Sequence, residues 1–163
     1  MNDRTKGGYG MRRVEKKSIT IWNLMDIQRG LGFLLLIGIG FYFFGDYSLV
    51  KKGLIIATGF VIYILIKDLV LNFFSYQHTF YEVTEDAVYL KQGGLTIWET
   101  TIPIHRIQHL DTSQPFYARM FDLYSLNLYT AGDDHSIQYL KKEVTDSLHQ
   151  QILEKLKTEN EQE

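Results

Sequence analysis

Two histidines and two aspartates have a spacing that could indicate a metal site or another chemical role. His105 and His109 are four residues apart, which on a helix would bring two imidazoles to one metal ion. No glutamate lies between them and Pro103 precedes them, and in an extended segment they would be about 13 Å apart, too far for one ion. Asp133 and Asp134 are typical of a turn, where Asp hydrogen-bonds the backbone. We therefore expect no metal site, no cofactor and no catalytic residues.

A second cluster combines an arginine with aromatic side chains. Arg119 stands close to Phe116, Tyr117 and Phe121 in a segment that we predict to be a helical turn between strands. One interpretation is structural, with Phe121 filling the core and Arg119 paired within the domain. The other is a partner surface, because Tyr, Phe and Arg are enriched in binding hot spots. We favour the structural role for Phe121 and Arg119 and the interface role for Tyr117. The candidate partner or lipid contacts here are Phe116, Tyr117 and Arg119.

Two long apolar segments lie near the start of the chain and precede its polar second half. Residues 30 to 45 and 53 to 66 contain no charged side chain. As helices, both segments are shorter than the roughly 30 Å hydrocarbon core of a membrane. They can cross it if the first is extended back to Leu24 and the second is extended past Lys67 to about Phe74. We predict a transmembrane helical hairpin over residues 24 to 76. The alternative is a pair of buried helices in a soluble core.

Basic residues beside these segments predict the orientation of the hairpin. Residues 1 to 29 carry seven Lys or Arg side chains, whereas the connecting loop has only Lys51 and Lys52. Because basic residues mark the cytoplasmic side, we expect a multi-pass protein with both termini in the cytoplasm. The candidate lipid contacts in the N-terminal segment are Arg12, Arg13, Lys16 and Lys17. This cluster is either a solvated tail or a site for anionic lipid headgroups.

Charge and cysteine content exclude several function classes. The net charge of -2 combines ten basic and five acidic residues in positions 1 to 76 with seven basic and fourteen acidic residues in positions 77 to 163. Affinity for nucleic acid comes largely from Lys and Arg on phosphates, so we expect no nucleic-acid partner. The chain has no cysteine, which excludes disulfides and thiolate chemistry.

The sequence pattern of the second half of the chain predicts a series of strands followed by one helix. The predicted strands are 80 to 84, 87 to 92, 95 to 102, 108 to 113, 125 to 130 and 136 to 140. Gly93 and Gly94 can form a tight hairpin turn, and Leu126 and Leu128 alternate as inward positions. Apolar residues recur every four positions between 143 and 157, which predicts an amphipathic helix with this apolar face: Val144, Leu148, Ile152 and Leu156, with Leu153 beside them. Together they predict an α+β domain, an antiparallel β-barrel or sheet capped by a C-terminal helix.

The stretch from Thr101 to Gly132 carries a family resemblance. An Ile-Pro pair, then Arg-Ile-Gln, a Gln turn, Arg-x-Phe-x-Leu and a strand ending in Thr-Ala-Gly occur in the same order as in the bacterial membrane-anchored pleckstrin-homology (PH) domain family, the YdbS-like proteins. The matching residues are Ile102, Pro103, Arg106, Ile107, Gln108, Gln114, Arg119, Phe121, Leu123, Thr130, Ala131 and Gly132. Asp122 stands where the family usually has glycine, and Asp tolerates a positive φ at modest cost. The resemblance implies a PH-like barrel with a C-terminal helix and transfers no catalytic residues.

These observations predict four segments and rank three function classes. The segments are a basic cytoplasmic region (1–23), the transmembrane hairpin (24–76), the PH-like domain (77–158) and a polar tail (159–163). We expect a non-enzymatic interaction module in the bacterial cell membrane that binds another membrane protein or assembles with itself. The alternative is a lipid-headgroup or envelope-stress sensor, and a membrane enzyme ranks last because no catalytic constellation is recognised.

Overall fold

The computed structural model describes residues 10 to 160, so Arg4, Lys6 and the end of the predicted polar tail lie outside the described residues. The helices of this range are α1 (Lys17–Phe44), α2 (Ser48–Gln77), α3 (Phe116–Met120) and α4 (Lys142–Asn160). The strands are β1 (Arg12–Arg13), β2 (Phe80–Val83), β3 (Ala87–Gly93), β4 (Ile97–Pro103), β5 (Ile107–Ser113), β6 (Leu123–Thr130) and β7 (Asp134–Lys141). A 3-10 turn over Ile104–Arg106 joins β4 to β5.

The two long helices form the predicted antiparallel hairpin. A Cβ atom on Gly30 would lie 2.5 Å from the nearest side-chain carbon of Leu65, so glycine here lets the helices approach closely. Helix α1 begins at Lys17, seven residues before the predicted start at Leu24. Its first turns are held by the domain, since Ile21 is completely buried.

The strands form two antiparallel sheets, in the orders β1-β2-β3-β4 and β5-β6-β7. Strand β1 was not predicted. It pairs Arg12 with Tyr81 and Arg13 with Phe80 across the whole length of the hairpin. The segment predicted as one basic region over residues 1 to 23 is therefore divided, in its described part, between a strand of the domain and the start of α1.

Backbone geometry explains two special positions. Gly93 has φ of +143°, and a Cβ there would lie 1.9 Å from the carbonyl oxygen of Thr96, so the β3–β4 turn requires glycine as predicted. Asp122 has φ of +53°, which agrees with its position where the related family has glycine. The αL conformation is tolerated by Asp better than by most residues.

Helix α4 closes the space between the sheets. Ile152 and Leu148 are buried against inward residues of β6, including Leu126 and Leu128, as the apolar periodicity predicts. Leu153, predicted beside this face, is 38% exposed. The same core also takes up Val14, from a position before the hairpin. The predicted α+β fold is confirmed, and its core draws on residues on both sides of the hairpin.

Candidate functional site

The junction between hairpin and domain is built around a second apolar cluster. Ile21 of α1 is buried together with Ala118 of α3, Leu123 of β6 and Tyr139 of β7. The ring of Trp22 meets that of Tyr139 edge to face, with centroids 5.9 Å apart, an arrangement that aromatic pairs favour. Because α1 continues into the apolar hairpin, this cluster fixes the domain to one end of it.

Helix α3 contacts α1 through a side chain that the sequence assigned to a partner surface. The hydroxyl of Tyr117 donates a hydrogen bond to the side-chain oxygen of Gln28. The polar partner of this tyrosine therefore lies within the chain. Phe121 packs against the junction cluster as predicted, whereas Phe116 is 71% exposed.

Arg119 does not have the internal partner that was predicted for it. Its side chain is exposed, and no hydrogen bond or ion pair of its guanidinium is found among residues 10 to 160. The prediction that Arg119 pairs within the domain is therefore wrong for this part of the chain. The reason is geometric: Ala118 occupies the inward position of the short helix, which leaves Arg119 on its outer side.

The four basic candidates of the N-terminal segment are distributed around the junction rather than gathered in one patch. The guanidinium of Arg13 lies over the rings of Tyr76 and Phe80, at 5.4 and 4.9 Å from their centroids. Its neighbour in β1, Arg12, is exposed, as is Lys16 directly before α1.

Lys17 is the member of the basic group that reaches α3. Its Nζ atom lies 6.0 Å from the centroid of the Phe121 ring, and its side chain is otherwise exposed. Among the four basic candidates, Lys17 therefore lies nearest to the C-terminal end of α3, which Phe121 directly follows.

A polar cluster joins the two helices next to the apolar part of the hairpin. Asp26 is buried; its Oδ1 accepts a hydrogen bond from Arg29 at 2.6 Å and its Oδ2 accepts one from Asn72 of α2 at 2.7 Å. The same Asn72 amide donates to Asn23 at 3.0 Å. A buried carboxylate requires such partners. Sequence reasoning missed this role of Asn72, although an asparagine in the apolar run LVLNFF was a usable signal.

An apolar groove runs along the hairpin from this polar cluster. It has a volume of about 380 Å³ and is lined at its charged end by Asp26, Arg29 and Asp68. Asp68 is paired with Lys67 at 3.1 Å. The carboxylates point inward and the cations outward, since the Arg29 side chain is 62% exposed and that of Asp26 is 11% exposed.

The exposed side of the first sheet contains residues that sequence reasoning also missed. Strand β4 is the end strand of its sheet and pairs with β3 alone within the described range. Trp98 is 70% exposed and Leu95, in the preceding turn, is 84% exposed. The turn lies against α2, because a Cβ on Gly94 would be 2.8 Å from Oγ of Ser75.

Burial shifts the pKa of two tyrosines in the described part of the domain. Burial raises the pKa of Tyr139 above the ordinary value of 10.0, an effect reduced by the Trp22 indole. Burial likewise raises the pKa of Tyr81, while the positive charge of Arg12 lowers it and Glu15 adds a smaller increase. No group of three or more His, Asp or Glu side chains that could hold a metal ion occurs among residues 10 to 160.

The fold and this junction define a membrane protein with a small two-sheet domain seated on a pair of apolar helices. Both helices are long and apolar enough to cross a membrane. The model of the family described as "Bacterial PH domain" matches residues 34 to 156, and the chain belongs to this family. The predicted membership of a YdbS-like membrane PH family is confirmed.

Two individual proteins resemble the chain. The transmembrane protein YdbS of Bacillus subtilis (strain 168) is 33% identical over 72 residues, which are 44% of this chain and 45% of that protein. The matched part thus spans less than half the length of this curated relative. A crystal structure of a duf1696 family protein with a pleckstrin-homology domain, from Shewanella loihica PV-4, is 20% identical with a TM-score of 0.38, covering 48% of this chain and 70% of that one.

Proposed function

We propose that the protein is a non-enzymatic, membrane-anchored interaction module, whose PH-like domain is held at the cytoplasmic face and binds another membrane protein or a second copy of this chain. The observation that carries the proposal is the exposed end strand β4, which begins beside the membrane helix α2 and presents Trp98. The membership of the bacterial PH family supports a binding role over catalysis.

The lengths of the two helices support a hairpin that both crosses the membrane and supports the domain. At 28 and 30 residues, they are about 42 and 45 Å long at a rise of 1.5 Å per residue. The hydrocarbon core needs only about 30 Å. The surplus of α1 lies at the domain end, where residues 17 to 29 carry the contacts of the junction, and α2 extends past Ile66 to Gln77 on the same side.

The proposed face of the membrane is the cytoplasmic one. Residues 10 to 29 carry five Lys or Arg side chains, against two in residues 46 to 52, which were predicted as a loop although α2 begins at Ser48. Such an excess marks cytoplasmic segments. Reporter enzymes fused before Arg12 and after Glu163 should both report the cytoplasm, and one within residues 46 to 52, at the turn between α1 and α2, should report the outside. Release of the intact protein by alkaline carbonate would contradict the membrane crossing itself.

Strand β4 has the features of a protein-binding edge. Unpaired backbone groups of an end strand can pair with an extended segment of a partner, and an exposed tryptophan is a frequent hot spot. The β3–β4 turn meets α2 at Leu71 and Ser75. Leu71 lies five residues, or about 7.5 Å of helix rise, beyond the end of the uncharged run at Ile66. A partner anchored in the same membrane would reach this edge with a short juxtamembrane segment.

In-cell photocrosslinking tests this assignment. A photoreactive amino acid in place of Trp98 should give a discrete adduct with one membrane protein or with the chain itself, identified by mass spectrometry. The matched control is Gln108, an exposed residue on β5, the end strand of the other sheet. Equal adducts from both positions, or none from Trp98, would contradict the role of β4.

A second candidate function, lipid-headgroup sensing, is supported by the outward cations at the domain end of the hairpin. Arg29 and Lys67 are each bonded to a buried or half-buried carboxylate and still expose much of their side chains. Binding of residues 1 to 29 to anionic vesicles that weakens as salt is raised would support this function. Binding that is insensitive to salt and to lipid charge would exclude it.

A further inference from the structure

We propose that α3 is a lipid-inserting foot of the domain: the Phe116 side chain enters the boundary between headgroups and acyl chains beside α1, and Arg119 binds lipid phosphates. The proposal rests on the membrane crossing of the hairpin proposed above and is independent of the β4 edge. It assigns a lipid surface, rather than a protein, to the exposed side of this helix.

Helix α3 has two different sides. Its inward side is formed by Ala118, which is completely buried, and by Tyr117, which packs on the junction cluster. Its outward side presents Phe116 and Met120, which are 71% and 64% exposed. These two residues are four positions apart and so share one face. Because the inner face of the helix is already docked, this apolar outer face is available for contact with lipid.

The contacts of α3 with α1 show where this face lies along the hairpin. Tyr117 bonds to Gln28, which precedes the start of the uncharged run at Gly30 by two residues, or about 3 Å of helix rise. The ring of Phe116 lies 5.3 Å from the ring of Tyr117. At the opposite end of the short helix, Phe121 contacts Lys17. The N-terminal end of α3 therefore points toward the apolar hairpin and carries Phe116 with it.

Charge supports a lipid as the occupant. Arg119, Lys17 and Arg29 are exposed around the junction, although residues 77 to 163 carry seven more acidic than basic side chains. Apolar side chains combined with local Lys or Arg at the membrane face are the pattern of interfacial helices. Anionic headgroups attract such cations within about a Debye length. The expected surface is a bilayer that contains anionic phospholipid.

The absence of cysteine from the chain permits a direct test by single-site labelling. Phe116→Cys in the full-length protein is labelled with an environment-sensitive fluorophore and reconstituted into purified vesicles of phosphatidylglycerol and phosphatidylethanolamine. We expect strong quenching by lipids with a nitroxide near the headgroup and several-fold weaker quenching by aqueous iodide than at a solvent control. Gly132→Cys is that control, because open space surrounds its Cβ position.

Two further measurements distinguish a failure of the membrane crossing, or contact between copies, from insertion of α3 into lipid. A label at Phe60→Cys, an exposed position in the apolar run of α2, should be protected from iodide; its exposure would contradict the membrane crossing rather than the foot. If the label at position 60 is protected and the label at position 116 is quenched by iodide as strongly as the label at position 132, the proposed insertion of α3 into lipid is wrong. Protection of Phe116 that vanishes when the protein is diluted into excess lipid would mean contact between copies and would also overturn the proposal.

The headgroup contact has its own variant pair. In the labelled Phe116→Cys protein, Arg119→Glu should increase iodide quenching at least twofold in anionic vesicles, whereas Arg119→Lys should leave it nearly unchanged. Both substitutions are on an exposed side chain, so a folding defect is not expected. Equal quenching in the Glu and Lys variants would refute the phosphate contact of Arg119.

Discussion

Substitution of Ile21 by alanine should destabilise the domain where it packs on the hairpin. Ile21 is completely buried among α3, β6 and β7, although it belongs to the helix that continues into the apolar hairpin. Truncation of a buried Ile to Ala costs about 2 to 5 kcal/mol, because apolar contact is lost and a cavity remains. For a domain of this size, 1 kcal/mol corresponds to about 4 to 8 °C in melting temperature. We therefore expect Ile21→Ala to lower the melting temperature of the domain by at least about 8 °C.

Trp22 provides the assay for this prediction. Its ring lies against Tyr139 in the junction, and Trp98 is the other tryptophan of the chain. In a Trp98→Phe background, the fluorescence of Trp22 reports the junction alone while the protein is heated in lipid nanodiscs. The apolar hairpin is expected to stay helical in lipid, so the signal follows the domain and not the membrane segment.

Ile27→Ala is the matched control, because it makes the same chemical change on the same helix at a residue that is 41% exposed. This variant should melt within about 4 °C of the parent, since surface substitutions usually change stability by less than about 0.5 kcal/mol. Equal melting temperatures for the Ile21 and Ile27 variants would refute the reasoning, because the domain would then be independent of α1.

Three further predictions concern the core and the backbone of the domain. Ile152→Ala should lower its stability by about 2 to 5 kcal/mol in chemical denaturation, while the neighbouring and exposed Leu153→Ala should change it by less than about 1 kcal/mol. Because burial raises the pKa of Tyr139 above 10.0, its contribution is complete below pH 10 and is lost as pH rises through the folded-state pKa; Tyr139→Phe should therefore flatten the fall in stability measured above pH 10. Asp122→Gly should be neutral or raise the melting temperature, by relieving left-handed strain on the order of 1 kcal/mol, whereas Asp122→Val should lower it.

Local patterns were sufficient to predict most elements of the domain. Alternation and turn residues are properties of a few neighbouring positions, so the hairpin at Gly93 and the inward side chains Leu126 and Leu128 could be identified before any tertiary contact was known. The apolar face of α4 was predicted for the same reason. Leu153, predicted beside this face rather than on it, is 38% exposed.

Long-range contacts explain what could not be predicted. Strand β1 consists of two residues that pair with β2 across more than sixty residues of hairpin, and no local pattern marks so short a strand. The early start of α1 was missed because the predicted start at Leu24 was set by the length needed to cross the membrane, whereas residues 17 to 23 are helical and Ile21 among them is buried against the domain. The side-chain directions of Tyr117 and Arg119 depend on how α3 docks on α1, which periodicity within five residues does not determine.

A disulfide between the domain and the hairpin tests most directly the central claim that the domain is held at a fixed position on its membrane helices. A Cβ at Gly94 would lie 2.8 Å from Oγ of Ser75. Because this Oγ is one covalent bond from the Cβ of Ser75, the two Cβ atoms can reach the separation of about 3.5 to 4.5 Å that a disulfide needs. In native membranes, the Ser75→Cys and Gly94→Cys double variant should therefore oxidise rapidly and nearly completely within one chain. The matched Ser75→Cys and Gly132→Cys pair should stay reduced under the same conditions. Equal oxidation of both pairs, or none in either, would contradict a domain docked on its hairpin.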